Sequence, residues 1–338
     1  MAVVTHERLV DHHPGSYHPE RPSRLGAALA GIDDLHLESD LLTVEAVPAT
    51  PAAVLRVHDA AVVGLLEELH RAGGGDVDAD TVMSAASWDA AQLAAGAGLV
   101  AVGLLETGDM TAAFCAVRPP GHHATPVRSM GFCLLNNVAV TAAALADRGE
   151  RVVIVDIDAH HGNGTQDVFY ADPRVLFVSF HQSPLYPGTG AAAERGTGEG
   201  WGSTLNIPLP AGATGDVYQA AWDVLVAPVV EQFGPTWLLL SAGFDAHRAD
   251  PITDLGLAAG DYAALTETIA AVVPPGRRIA FLEGGYDLDA LRAGTAAMVG
   301  SFVGLRHHPE PPTSGGPGRH VVERLDRVFR ADPQSSAG

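Results

Sequence analysis

Arg151-Val-Val-Ile-Val155, followed by Asp156-Ile-Asp158-Ala-His160-His161-Gly162-Asn163-Gly164, is an apolar run that breaks abruptly into carboxylates and imidazoles. Such a run reads as a buried strand passing into a loop. Side chains at i, i+2 and i+4 of a strand share a face, so Asp156, Asp158 and His160 converge if the extended geometry persists. Two ionised carboxylates beside an apolar strand are costly to bury unless a cation or a set of donors neutralises them. A metal ion is the simplest such group.

The same pattern recurs on either side. Ala112 to Val117, Val175 to Phe180, Thr204 to Leu209, Trp237 to Ser241 and Arg278 to Leu282 also read as strands. Helical patterns run from Ser23 to Ala30, Asp59 to Arg71, Asn137 to Ala146, Gln166 to Tyr170, Asp216 to Gln232, Ala258 to Val272 and Leu288 to Val303. Strands apolar on both faces and separated by helices predict an α/β fold, a single domain with a mostly parallel multi-stranded sheet and helices on both faces. In such sheets ligands bind beyond the carboxyl ends of the strands. The polar clusters at Arg118 to His123, Asp156 to Asn163, His181, Ser241 to Asp245 and Glu283 to Tyr286 all follow predicted strands, which points to one site built from several loops. From about Arg306 the chain turns Pro/Gly/Ser-rich, so residues 1–305 are read as the catalytic domain and 306–338 as a partly flexible C-terminal extension with a short helix at Val321 to Phe329.

Composition narrows the function. Charged residues make up 18% of the 338, and the formal net charge is −20. That balance argues against a nucleic-acid partner, whose phosphates need a Lys/Arg surface, and favours a cationic substrate. Cys115 and Cys133 are too few for a disulfide framework or a thiolate zinc site, so the expected compartment is a reducing cytoplasm. The N-terminal residues turn polar too soon for a signal peptide. The longest apolar stretch, Ala94 to Leu105, is short for a bilayer span and reads as a buried helix, so no membrane association is expected.

Asp158, His160 and Asp245 offer three ligands from two strand ends. Three protein ligands with an open fourth position suit a catalytic zinc, and the same donors suit Fe(II) or Mn(II). His122 and His123 follow Arg118-Pro119-Pro120-Gly121, a rigid turn able to hold both rings towards one mouth. A neutral imidazole there can take a proton from an attacking water and return it to a leaving group. Tyr286, behind Gly284-Gly285, can donate a hydrogen bond to an oxyanion. These parts describe metal-assisted hydrolysis of an amide or ester without a protein nucleophile.

With these motifs in place the chain resembles the histone deacetylase and acetylpolyamine amidohydrolase family, in its class II-like form. The resemblance runs from His18-Pro-Glu-Arg-Pro-Ser-Arg24 to Glu283-Gly-Gly-Tyr286. Between them lie Arg118 to His123, Gly131-Phe-Cys133, Asp156 to Thr165, Tyr186-Pro-Gly-Thr-Gly190 and Gly243-Phe-Asp-Ala-His247 with Asp250-Pro251. It implies an arginase/deacetylase-like fold and zinc on Asp158, His160 and Asp245. His123 is implied as general base and acid, His122 as an electrostatic partner oriented by Asp156, and Tyr286 as the group polarising an acetyl carbonyl. Phe132 and Tyr186 match the aromatic walls of an acyl-lysine channel, to which Ile252 and Pro120 are added as lining. A potassium or sodium ion near Asp156, Asp158, His160, Ser179 and Phe180 is implied, and Arg24 matches a residue near the foot of the channel.

The implied substrate is a small molecule or peptide carrying an acetylated amine; a homo-oligomer, whose second chain narrows the entrance, is compatible. Asn163 stands where class I relatives place an Asp behind the second His, so His123 should be less strongly charged by its neighbour. Ile252 stands where a polyamine-selective relative carries a Glu. Two other readings compete: a binuclear manganese ureohydrolase of the arginase type, and a non-catalytic acyl-lysine binding protein. Gly162 and Gly243-Phe244 occupy positions where a second metal calls for carboxylates, and a pure binder needs no acid, base and oxyanion donor together. Asp11-His12-His13 is expected at a loop rim or in solvent, His181 and His247 beside the site or in structural roles, and Asp76, Asp78 and Asp80 in a solvated loop or at a substrate-binding rim.

Overall fold

The computed structural model describes residues 1–37 and 40–330. Ten strands form in chain order: β1 (Ala2–Thr5), β2 (Leu42–Glu45), β3 (Gly74–Asp76), β4 (Val82–Ser84), β5 (Ala113–Cys115), β6 (Val152–Asp156), β7 (Val175–Gln182), β8 (Thr204–Leu209), β9 (Trp237–Ala242) and β10 (Arg278–Leu282). Eight of them make one sheet in the order β2-β1-β5-β10-β9-β6-β7-β8, with every neighbouring pair parallel. β3 and β4 form a separate antiparallel hairpin.

Every residue of β6, β7 and β9 is buried, which requires cover on both faces of the sheet and explains why these strands lack polar alternation. Helix Ser87–Glu106 packs against β1, β5 and the helix Asn137–Ala146, while helix Leu288–Phe302 packs against both Ser23–Asp33 and Ala259–Ala270. Ser87–Glu106 has the length and apolarity to cross a membrane, yet most of it is buried inside the protein. It extends well beyond the apolar stretch that suggested it, because Ala, Leu and Glu carry a helix as readily at its ends. The helix expected over Asp216 to Gln232 contains a π-turn at Trp222–Val226 just before Ala227–Phe233, where Pro228 has no N–H to donate to the preceding turn.

The four central neighbours β5, β10, β9 and β6 are also the strands whose carboxyl ends carry the chemistry. Their loops begin at Ala116, Glu283, Gly243 and Ile157, so topology alone brings four sequence-distant motifs to one edge. Residues 306–330 lie on this body: Val321, Val322 and Leu325 of the helix Arg319–Arg330 are buried in the main core.

Candidate active site

β6 ends at Asp156, and the next residues leave the strand. The i, i+2, i+4 convergence is therefore only partial. Asp156 Oδ2 pairs with His122 Nδ1 at 2.9 Å, while Asp158 and His160 turn towards Asp245. His160 Nδ1 lies 3.1 Å from both Asp158 Oδ1 and Asp245 Oδ2, and one ligand atom from each of the three falls within 4.8 Å of the others. Ala159 N–H and Gly284 N–H donate to Asp245 Oδ1 and Asp158 Oδ2 at 2.8 Å, fixing the carboxylates from behind. A Cβ at Gly284 would collide with Asp245 Oδ2 and Asp158 Oδ2, so glycine is required where this chain segment backs the acids.

Two buried carboxylates and an imidazole aimed at one point suit a divalent cation. The electrostatics agree. Burial disfavours charge on His160, but its hydrogen bonds to the Asp158 and Asp245 carboxylates still raise its pKa to about 10, so the position attracts positive charge. Among the described residues this is the one trio able to hold a metal ion, which leaves a binuclear centre without its second ligand set.

The His122 and His123 rings lie 4.0 Å apart between centroids, tilted by 43° to one another. Burial opposes a charge on His122, yet Asp158 and Asp156 outweigh it and raise its pKa well above the usual value. Burial and the neighbouring His122 and His160 instead drive His123 well below it. His123 Nδ1 lies 2.7 Å from Asn163 Oδ1, an acceptor on that amide assignment, so Nδ1 carries the proton and Nε2 keeps a lone pair. One ring is thus charged and the other neutral.

A cavity of about 250 Å³ is lined by His123, His160, Tyr286, Phe132, Gly131, Tyr186, Leu185, Ile252 and Asp80. Phe132 meets Tyr286 edge-on at 5.9 Å, and Tyr186 meets His123 edge-on at 5.2 Å. Phe132 has a left-handed φ of 67°, an uncommon conformation for an aromatic residue. It is anchored by its N–H on Thr81 Oγ1 at 3.1 Å and preceded by Gly131, where a Cβ would press 2.5 Å from the His123 ring. Pro120, expected in the channel wall, is buried and does not line the cavity. Its turn is drawn inward because Gly121 N–H and His122 N–H both donate to Glu283 Oε2, at 2.7 and 3.1 Å.

The β6–β7 register sets Asp156 opposite Ser179, so two of the five positions read as a monovalent cation site are neighbours across the sheet, while Asp158 and His160 lie in the loop beyond β6. Ser179 Oγ lies 3.0 Å from His181 Nδ1. Arg24 is fully buried, with its guanidinium carbon 4.9 Å from the Tyr286 ring centroid. His247 Nε2 pairs with Glu310 Oε2 at 2.6 Å. His12, expected at a rim or in solvent, is buried between Ser87 Oγ at 2.7 Å and Glu20 Oε2 at 3.2 Å; its partners lie on other elements, so local sequence gave no sign of them.

Glu20, Asp250 and Glu283 stand inside motifs read from the sequence but were given no role there, and Leu185 was not singled out. Asp250 Oδ2 accepts the Tyr286 N–H at 2.8 Å and, desolvated beside Asp245, is raised to about 7. For Glu283 the sequence signal is an acidic residue directly after the apolar run Ile279 to Leu282.

Fold and site together define a hydrolase of the histone deacetylase class. The sequence matches the histone deacetylase domain over residues 18–302, and the chain belongs to that family. It is 41% identical over 319 residues to a probable deacetylase of Archaeoglobus fulgidus, covering 91% of this chain and 89% of that protein. It is 34% identical to a histone deacetylase-like amidohydrolase of Pseudomonas aeruginosa, covering 87% and 79%. The crystal structure of the HDA15 HD domain superposes with a TM-score of 0.86 at 35% identity, covering 90% of this chain and 91% of that one.

Proposed function

We propose that the chain hydrolyses the acetyl amide of an N-acetylated amine, with zinc held by Asp158, His160 and Asp245. The observation that carries this reading is that His123, His160 and Tyr286 line one narrow cavity. A divalent ion bound there would supply Lewis-acid polarisation of the acyl carbonyl and acidify water. His123, neutral and with Nε2 free, takes the proton of the attacking water and returns it to the departing amine. His122 remains cationic between Asp156 and Asp158, adding positive charge beside the developing oxyanion. Burial raises the Tyr286 phenol well above its ordinary value, so it stays protonated and donates to the acyl oxygen.

Phe132 and Tyr186 flank a slender aliphatic chain, and Asp80 offers a carboxylate to a peptide N–H or an ammonium group beyond it. A potassium or sodium ion held around Asp156, Asp158, His160, Ser179 and Phe180 belongs to the same proposal. The test compares kcat/KM for an acetyl-lysine peptide, acetylputrescine and acetylspermidine, using protein stripped of metal and reloaded with zinc, Fe(II) or Mn(II). Turnover of at least one substrate, lost on stripping and restored by zinc, is expected. Full activity in metal-free protein overturns the reading.

A further inference from the structure

Tyr286 and His123 sit on loops after β10 and β5, and for both to reach one acyl group their separation must be fixed. Both loops are tied to one carboxylate that is remote from either in sequence. Glu20 is completely buried and accepts Arg118 Nε and NH2 on its two oxygens, each at 2.7 Å. Arg118 opens the turn that leads to His122 and His123. On its other side, Glu20 Oε1 faces Arg24 NH1 at 3.3 Å. Arg24 also donates to the Tyr286 loop, from Nε to Gly285 O at 2.6 Å and from NH2 to Glu283 O at 2.5 Å. His12 Nε2 closes the ring of partners at 3.2 Å from Glu20 Oε2.

Burial opposes ionisation of Glu20, but His12 and Arg118 override it and hold the carboxyl well below the usual range. A network of this kind is an expensive way to fill space, since apolar side chains of equal volume are often as stabilising. What it offers instead is direction: guanidinium forks hold their partners at set angles.

We propose that Glu20 is a positioning residue that fixes the distance between the Tyr286 phenol and the His123 imidazole by anchoring Arg24 and Arg118 together. This rests on the reading of Tyr286 and His123 as the groups that act on the acyl carbonyl and water. The Arg24 donors clamp the carbonyls on either side of Gly284, so the direction in which Tyr286 leaves the strand is set from Glu20. Neutralising that carboxylate frees both arginines and softens both loops together.

The experiment measures kcat, KM, zinc content and melting temperature for Glu20→Gln, alone and combined with Tyr286→Phe, on an acetyl-lysine reporter. A misplacement near 1 Å costs on the order of 100-fold in rate, so Glu20→Gln is expected to lower kcat by about that factor while KM moves less than about 3-fold and zinc is retained. In the Tyr286→Phe background the same change should cost less than about 10-fold, because part of the penalty is a misplaced hydroxyl that is already absent. Equal factors in both backgrounds, or undiminished kcat, overturn the proposal. Undiminished turnover in Tyr286→Phe alone instead overturns the role given to that phenol, so the two failures are distinguishable. If Glu20→Gln does not fold, His12→Gln replaces it, with an expected loss of about 10-fold and the same non-additivity; wild-type kcat there overturns the proposal equally.

Discussion

His58 Nε2 accepts the backbone N–H of Asn136 at 2.9 Å, so its Nδ1 must carry the proton that it donates to Thr125 O at 2.9 Å. Only the neutral ring fits between those two groups. Burial accordingly lowers its pKa from 6.5 to about 4. The unfolded chain then takes up the proton first, so the contribution of His58 is complete above pH 6.5 and is lost as pH falls towards 4. By about pH 5 the loss is about 2 kcal/mol. Urea unfolding of wild type and His58→Gln at about pH 7.5 and pH 5 should show a steeper decline in the wild type by that amount; parallel declines would mean that His58 accepts a proton in the folded state. Residues of this kind were invisible in the sequence. Asp158 and His160 were legible because their grouping is local, whereas His58 and Asp250 find their partners, and Glu20 its contacts with Arg118 and His12, only through the fold.

Helix Ser87–Glu106 contains three glycines, at 96, 98 and 103, whose surroundings differ sharply when a Cβ is added. At Gly96 the Cβ would strike Val47 O and lie 2.7 Å from Ala49 N, backbone atoms that cannot move aside. At the exposed Gly103 nothing lies within 4 Å. Gly96→Ala should therefore destabilise by about 1–3 kcal/mol, while Gly103→Ala should stabilise by up to about 1 kcal/mol through helix propensity. Denaturant midpoints measure both, and equal effects would contradict the close approach of the helix to residues 47–49. Elements of this length were readable from apolar pattern. β1 was not, because Ala2–Thr5 is too short for periodicity to register, and β2 is an edge strand with mostly exposed residues. β3 was hidden for a different reason: Gly73-Gly74-Gly75 reads as a helix terminator, yet Gly74 and Gly75 pair with Ser84 and Met83.

Across the molecule, the parallel sheet and the convergence of its loops followed from alternation of strands and helices, but strand order did not, since nothing local makes β10 the neighbour of β5. The segment beyond residue 305 is likewise a matter of long-range contacts. Glu310 accepts His247 Nε2 and Arg248 NH2 at 2.6 Å and Ala259 N–H at 3.0 Å. Thr313 donates its N–H and hydroxyl to Asp261 at 2.9 and 2.8 Å. Both contacts brace the chain that follows Asp245.

Burying Val321, Val322 and Leu325 is worth about 1.5–3 kcal/mol each, a sum comparable with the whole net stability of many domains. Truncation after residue 305 should therefore lower the melting temperature by about 10 °C or more, or leave the protein insoluble. Glu310→Gln in the full chain removes the charge beside His247 and Arg248 but keeps the apolar helix, so its expected cost is about 1–3 kcal/mol, with the larger share of stability retained. Calorimetry on the two proteins separates these contributions. A truncated chain that melts with the wild type would show that the helix Arg319–Arg330 adds nothing to the core on which it lies.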